Sequence, residues 1–239
     1  MGKGPRAHMA LEFCNLHIGH NRHAIAGPMN LCVPKGALVA LLGPNGAGKS
    51  TLLRTLAGDI APATGSVSKT TERPIAYLPQ ATTLLRDAPI LVRDVVAMGL
   101  WGKLGMLGRP CRHDRVNVDA ALARVGLSDV AKKSIGELSG GQIQRVLFAR
   151  LAVQDCDVIL LDEPFAALDE VAQVDLLDVV KAWHHQGKTI IVALHDLDIA
   201  QHFPIWLQMR DGTAQLTPRV GIAPVPKDQG LRVVADGAA

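Results

Sequence analysis

The chain has 239 residues, with 25 Lys and Arg against 22 Asp and Glu and 48% hydrophobic residues. That is one large domain or a domain with a subdomain, with ample apolar content for a core and too much for a disordered chain. A net charge of +3 is too weak to argue for nucleic acid, 3% aromatics disfavour stacking platforms for single strands, and the longest apolar run, residues 37–42, is far short of the roughly 20 residues of a membrane helix.

Residues 1–10 are basic with no apolar run behind them, so they are expected as a flexible leader and no secretory signal, with order beginning near Leu11. The uninterrupted run 38–42, followed at once by glycine, reads as a buried parallel strand feeding a loop. A helix is predicted over 49–57, where Leu52, Leu53 and Leu56 share a face and Gly58 closes the end. Helical spacing recurs at 114–125 (Val118, Leu122, Val125), 140–153 (Ile143, Val146, Leu147, Leu151) and 170–183 (Val171, Val174, Leu177, Val180, Trp183). Residues 91–153 are therefore expected as a helical subdomain inserted into an α/β core. Further buried strands at 158–161 and 190–194 end in Asp162-Glu163 and His195-Asp196, and open α/β sheets build ligand sites from such strand ends. From 212 to 239 Pro and Gly accumulate without a period, so the ordered domain is expected over 11–211 with a divergent tail beyond it.

The cysteines at 14, 32, 111 and 156 form no CxxC pair, which fits a reducing compartment and inert or buried thiols. His17, His20 and His23 stand three apart and His184-His185 are adjacent, but no fourth ligand accompanies them, so they read as structural or solvated.

Three motifs carry chemistry. Gly43, Pro44, Asn45, Gly46, Ala47, Gly48, Lys49 and Ser50 spell GxxxxGKS between a predicted strand and a predicted helix, with Thr51 next. Glycines let the backbone N–H groups face one anion, the helix N-terminus adds positive charge, Lys49 reaches the β- and γ-phosphates, and the Ser50 hydroxyl suits Mg²⁺. Asp162, at a buried strand end, can hold a magnesium-bound water, and Glu163 can take a proton from an attacking water. Ser139, Gly140, Gly141 and Gln142 open an amphipathic helix with a Ser cap and two glycines, a second anion-facing helix start. One ATP does not need two cradles from one chain, so a second copy would use this one.

Together and in this order the motifs resemble the ATP-binding subunit of an ABC transporter, from about Leu11 to Gln208. The resemblance implies a P-loop NTPase α/β fold with a mainly parallel sheet, an N-terminal antiparallel β portion and the inserted helical subdomain. It implies a head-to-tail homodimer in which each ATP lies between the phosphate loop of one subunit and Ser139, Gly140, Gly141 and Gln142 of the other. Gln80, in Tyr77-Leu-Pro-Gln80, matches the Q-loop glutamine that contacts Mg²⁺ and the attacking water; taken alone it reads equally as a surface glutamine. His195 matches the switch histidine at the γ-phosphate, and Ala167-Leu-Asp169 matches the loop that crosses the dimer interface. The aromatic residue that usually stacks on adenine is replaced by His20, which becomes the expected base platform.

Within the family, residues 90–99 and 137–150 resemble importers of chelated and free metals. Residues 154–157 lack a proline common elsewhere and, with Pro164-Phe165-Ala-Ala-Leu-Asp169, lean to the zinc and manganese branch. No small strand and helix usual for that branch is recognisable after Asp211. The implied function is ATP hydrolysis powering import of a transition-metal ion such as zinc or manganese, with an iron-siderophore or haem importer as the alternative. The implied partners are a separate transmembrane permease and an extracytoplasmic substrate-binding protein, with no nucleic acid, which places the chain at the cytoplasmic face of the membrane. A docking groove is expected near residues 80–101, with Leu84, Leu85, Ile90 and Trp101 as candidates, although large apolar residues of this kind read more readily as subdomain core. A soluble ABC ATPase of DNA repair or translation is the reading from another class. The 88 residues between Lys49 and Leu138 leave no room for long coiled coils, and the chain holds one cassette where translation factors usually hold two.

Overall fold

The computed structural model describes residues 8–20, 23–80, 89–105, 108–166 and 168–218. Two sheets organise them. β1 (Met9–His20) pairs antiparallel with β2 (His23–Pro34) on one edge and β4 (Thr64–Lys69) on the other. The larger sheet has the order β5-β6-β7-β3-β8-β9, built from β3 (Leu38–Leu42), β5 (Ile75–Leu78), β6 (Val158–Asp162), β7 (Thr189–Ala193), β8 (Ile205–Arg210) and β9 (Thr213–Pro218). Its first five strands run parallel and β9 runs antiparallel.

β3, β6 and β7 are buried at every position, which is why they appear in the sequence as unbroken apolar runs. Alternate residues point to opposite faces. Leu38, Ala40, Leu42, Ile159, Leu161, Ile190 and Val192 face a core shared with helices α2 (Val92–Ala97), α4 (Arg112–Arg124), α5 (Gly140–Ala152) and α6 (Glu170–His185). Val39, Leu41, Val158, Leu160, Ile191 and Ala193 face α1 (Lys49–Ala57) and the antiparallel sheet. Each Leu, Ile or Val buried this way contributes about 1.5–3 kcal/mol, so the central strands form a stiff platform. Phe148 on α5 stacks on Trp183 of α6 at 5.5 Å. Two short helices, α3 (Trp101–Leu104) and α7 (Leu197–Ala200), complete the set. No helix among the described residues is long and apolar enough to cross a membrane.

The structure departs from the sequence reading at both ends. β1 begins at Met9, inside the stretch expected as leader, because Ala10 and Leu11 are buried in the core. The expected end at 211 also moves outward. Asp211 and Gly212 both adopt positive φ, 51° and 74°, and Arg210 pairs with Thr213 across them. This is a two-residue hairpin turn of the type Asp-Gly favours. It folds residues 213–218 back onto β8 and buries Leu216.

Candidate active site

The phosphate loop leaves β3 and enters α1. At Gly43 a Cβ would lie 2.6 Å from the Met209 carbonyl oxygen, so only glycine lets the loop pass this close to β8. Gly48 precedes α1 in the left-handed region, φ 94°, and no side chain caps the helix. The first-turn N–H groups of α1 have no intrahelical partner and carry the positive end of the dipole. Lys49 is only 6% exposed, and its Nζ donates to the carbonyls of Gly43 at 2.7 Å and Pro44 at 3.2 Å. Among the described residues no carboxylate lies within ion-pair distance of it. A buried ammonium with no ion pair among the described residues, set beside backbone amides at a helix N-terminus, suits an anion.

A cavity of about 360 Å³ opens on this loop, lined by Ile25, Asn45, Gly46, Gly48, Lys49, Ser50, Thr51, Gln80 and Glu163. Pro44 and Ala47 lie in the same loop without lining it.

β6 delivers the two carboxylates. Asp162 is 2% exposed, accepts from the Tyr77 hydroxyl at 3.3 Å through Oδ2, and has no hydrogen-bond partner for Oδ1 among the described residues. Burial raises its carboxyl above the usual range, and the nearby Ser50 and Tyr77 hydroxyls offset part of that shift. Burial, followed by the Asp162 charge, pushes the Tyr77 phenol above its ordinary value.

Glu163 is held at φ 48°, a left-handed conformation rare outside glycine, and its N–H donates to the Ala193 carbonyl of β7 at 3.1 Å. Such strain persists where the surroundings impose it, and it clusters at working sites. Glu163 Oε2 accepts from Gln80 Nε2 at 2.7 Å, and His195 Nδ1 stands 3.9 Å from the same oxygen. The His195 side chain is 60% exposed. The three candidate catalytic residues thus meet at one carboxylate oxygen on the rim of the phosphate loop.

The other cradle lies elsewhere. Ser139 caps α5 through a reciprocal box: its Oγ accepts from Gln142 N at 3.2 Å, and Gln142 Oε1 accepts from Ser139 N at 3.0 Å. None of Ser139, Gly140, Gly141 and Gln142 lines the phosphate-loop cavity. Gln144, further along α5, donates to the Pro164 carbonyl at 2.8 Å, which ties this helix to the turn after Glu163. Asp169 caps α6 by accepting from Ala172 N at 2.8 Å.

Several expected residues are placed differently or not at all. His20 ends β1, but its side chain lies outside the described residues, as do Ala167, Leu84 and Leu85. Ile90 packs partly buried against the core, whereas Trp101 is 46% exposed. Sequence reasoning missed Ile25 and Tyr77. Ile25, 48% exposed on β2, reaches the loop because Gly48 has no side chain: a Cβ there would sit 3.3 Å from Ile25 Cδ1. Flanked by Ala24 and Ala26, Ile25 carries no local signal. Nothing local marks Tyr77, whose contact follows from strand register.

Residues 26–166 match the family model described as ABC transporter. The chain belongs to the ABC transporter family. It is 37% identical over 203 residues to the manganese transport system ATP-binding protein MntB of Bacillus subtilis, covering 82% of this chain and 81% of the relative. Identity is also 37% over 202 residues with the zinc transport system ATP-binding protein TroB of Treponema pallidum, covering 81% and 76%. Among solved structures, an ABC transporter assigned to the metal-chelate type, in an inward-facing conformation, superposes with a TM-score of 0.78 at 30% identity, over 88% of this chain and 83% of that one. The protein is an ABC-type ATPase, a P-loop fold with a mainly parallel sheet, an antiparallel β portion and helices between them. It uses ATP and works within a transport system.

Proposed function

We propose that this ATPase powers import of a transition-metal ion, zinc or manganese, through a separate membrane permease fed by an extracytoplasmic binding protein. The manganese and zinc systems named for its relatives support this cargo. A chelated-iron system of Yersinia pestis, 35% identical over 192 residues, and the metal-chelate structural neighbour favour an iron-chelate cargo as the second reading. Among the described residues no group of three or more His, Cys, Asp and Glu is placed to hold a metal ion. Selection of the cargo is assigned to the partners on the family resemblance, not on that absence. The chain sits peripherally on the cytoplasmic face, held by the permease.

ATP binds with its phosphates against the loop amides and the Lys49 ammonium, and Ile25 adds an apolar surface to the same cavity. The imidazole of His20 is the proposed adenine platform. The donor set fits Mg²⁺, since Ser50 offers a hydroxyl, Asp162 a buried carboxylate with an unpartnered oxygen and Gln80 an amide oxygen. When bound, Mg²⁺ neutralises charge on the β- and γ-phosphates.

The observation that carries the hydrolytic reading is Glu163 Oε2, where Gln80 and His195 converge beside Lys49. Glu163 takes a proton from water, Gln80 holds that carboxylate in place, and Lys49 and His195 stabilise charge on the transferred phosphoryl group. The second cradle serves a partner. Two chains pair head to tail, and Ser139, Gly140, Gly141 and Gln142 of each close on the γ-phosphate held by the other. Two ATP molecules then bind the pair shut, and hydrolysis lets it open.

Glu163→Gln tests the base. Turnover falls about 10²- to 10⁴-fold, ATP affinity is retained, and closed dimers accumulate with ATP. Hydrolysis at the parent rate would remove Glu163 from the mechanism.

A further inference from the structure

The register of β5 and β6 brings one uncommon contact into the site. Tyr77 pairs with Leu160, and Asp162 lies two residues further along β6. Residues two apart share a face, at about 3.3 Å per residue, and a tyrosine is long enough to span that step. The shared face is the one turned to α1, because Leu160 and Tyr77 both pack in the core that includes Leu52, Leu53 and Leu56. The phenol therefore runs along the sheet, and its hydroxyl reaches Asp162 Oδ2 at 3.3 Å.

The consequence concerns the carboxylate. Asp162 turns about a single terminal torsion, and its two oxygens are equivalent unless something distinguishes them. Tyr77 occupies Oδ2, while Oδ1 stays buried with no hydrogen-bond partner among the described residues. We propose that Tyr77 is a positioning residue for the divalent cation: by holding Oδ2 it fixes the carboxylate so that Oδ1 is presented to the ion Asp162 shares with Ser50. This rests on the reading of Asp162 and Ser50 as holders of that ion. Partners that orient a metal-holding group from behind tune its affinity, and their loss costs about tenfold or more.

The test compares the wild type, Tyr77→Phe and Asp162→Asn as full-length chains, using ADP so that no turnover intervenes. ADP affinity is measured by calorimetry with excess chelator and again with Mg²⁺, and Mn²⁺–ADP binding is followed by electron paramagnetic resonance. Tyr77→Phe keeps the metal-free affinity and loses about tenfold of the gain that Mg²⁺ confers. Asp162→Asn loses more. A full Mg²⁺ gain in Tyr77→Phe beside a loss in Asp162→Asn overturns the role of Tyr77 alone, while a full gain in both overturns the assignment of Asp162 beneath it. Tyr77 is the one tyrosine in the chain, so its ¹³Cζ resonance in the wild type is a second readout that needs no variant to fold. That resonance shifts when Mg²⁺ joins bound ADP, and a signal indifferent to Mg²⁺ contradicts the proposal.

Discussion

Gln80 and Glu163 lie just past the ends of two neighbouring strands, β5 and β6, and the Gln80 amide donates to the Glu163 carboxylate at 2.7 Å over a separation of 83 residues. The same offset relates Ile75 to Val158 and Leu78 to Leu161 in the parallel β5–β6 ladder. The register brings the two strand ends together, and the left-handed turn at Glu163, φ 48°, sets its side chain beyond the ladder. A one-residue slip would send every side chain of β5 to the opposite face.

Gln80→Ala removes the donor and leaves the P-loop untouched. The expected result is a fall in kcat of about tenfold or more, equivalent to about 1.4 kcal/mol, with a much smaller change in ATP affinity. Steady-state kinetics beside equilibrium nucleotide binding separates the two. A loss confined to binding would mean that Gln80 contacts nucleotide without orienting Glu163.

The hairpin at Asp211 and Gly212 predicts that the domain depends on residues past 211. Gly212→Ala places a Cβ at φ 74°, and a left-handed conformation costs a non-glycine residue about 1–2 kcal/mol. Denaturant unfolding should show a loss of that order. Truncation after Asp211 should cost more, since it strips the β9 ladder from β8 and exposes the Leu216 site.

Asp114 supplies a pH-dependent contribution to the helical region. It is buried, reaches back to the Cys111 N–H at 3.0 Å and accepts from Lys103 Nζ at 3.0 Å. Hydrogen bonds from Cys111 and then Lys103 lower its carboxyl from 3.8 to about 2. A folded-state value below the unfolded one means that the stabilisation is complete above the unfolded value and fades as pH falls toward 2. Wild type and Asp114→Asn should therefore differ in Tm by a constant amount at neutral pH. The gap should narrow from about pH 4 downward.

The parts of this molecule legible in its sequence are those whose physics is local. β3, β6 and β7 are sealed on both faces, so they read as unbroken apolar runs. The helix at 49–57 declares itself through Leu52, Leu53 and Leu56, and Gly48 and Gly58 mark its limits. β1 and β2 were harder to place, because each mixes buried and exposed positions and their pairing shifts register several times. The Asp211-Gly212 pair carries a turn signal, but its glycine also opens the Pro- and Gly-rich stretch that follows, which hides the strand beyond it. Ile25 and Tyr77 gave no motif. Each matters through a neighbour far away in sequence, Gly48 for one and Asp162 for the other, and only folding supplies that neighbour. Gln80 and His195 stood out by family resemblance, and their convergence on a single oxygen of Glu163 was beyond any reading of spacing.

The central claim is that each ATP is hydrolysed between two chains. Lys49→Ala and Gly141→Asp are prepared separately, so that one chain has a damaged phosphate loop and the other a damaged second cradle. In a mixed head-to-tail dimer both lesions fall on one site and the other site is intact. The account predicts that each variant alone is inactive and that mixing them restores ATP hydrolysis well above the sum of the two. A mixture no more active than its components, or a Gly141→Asp chain fully active alone, would contradict it.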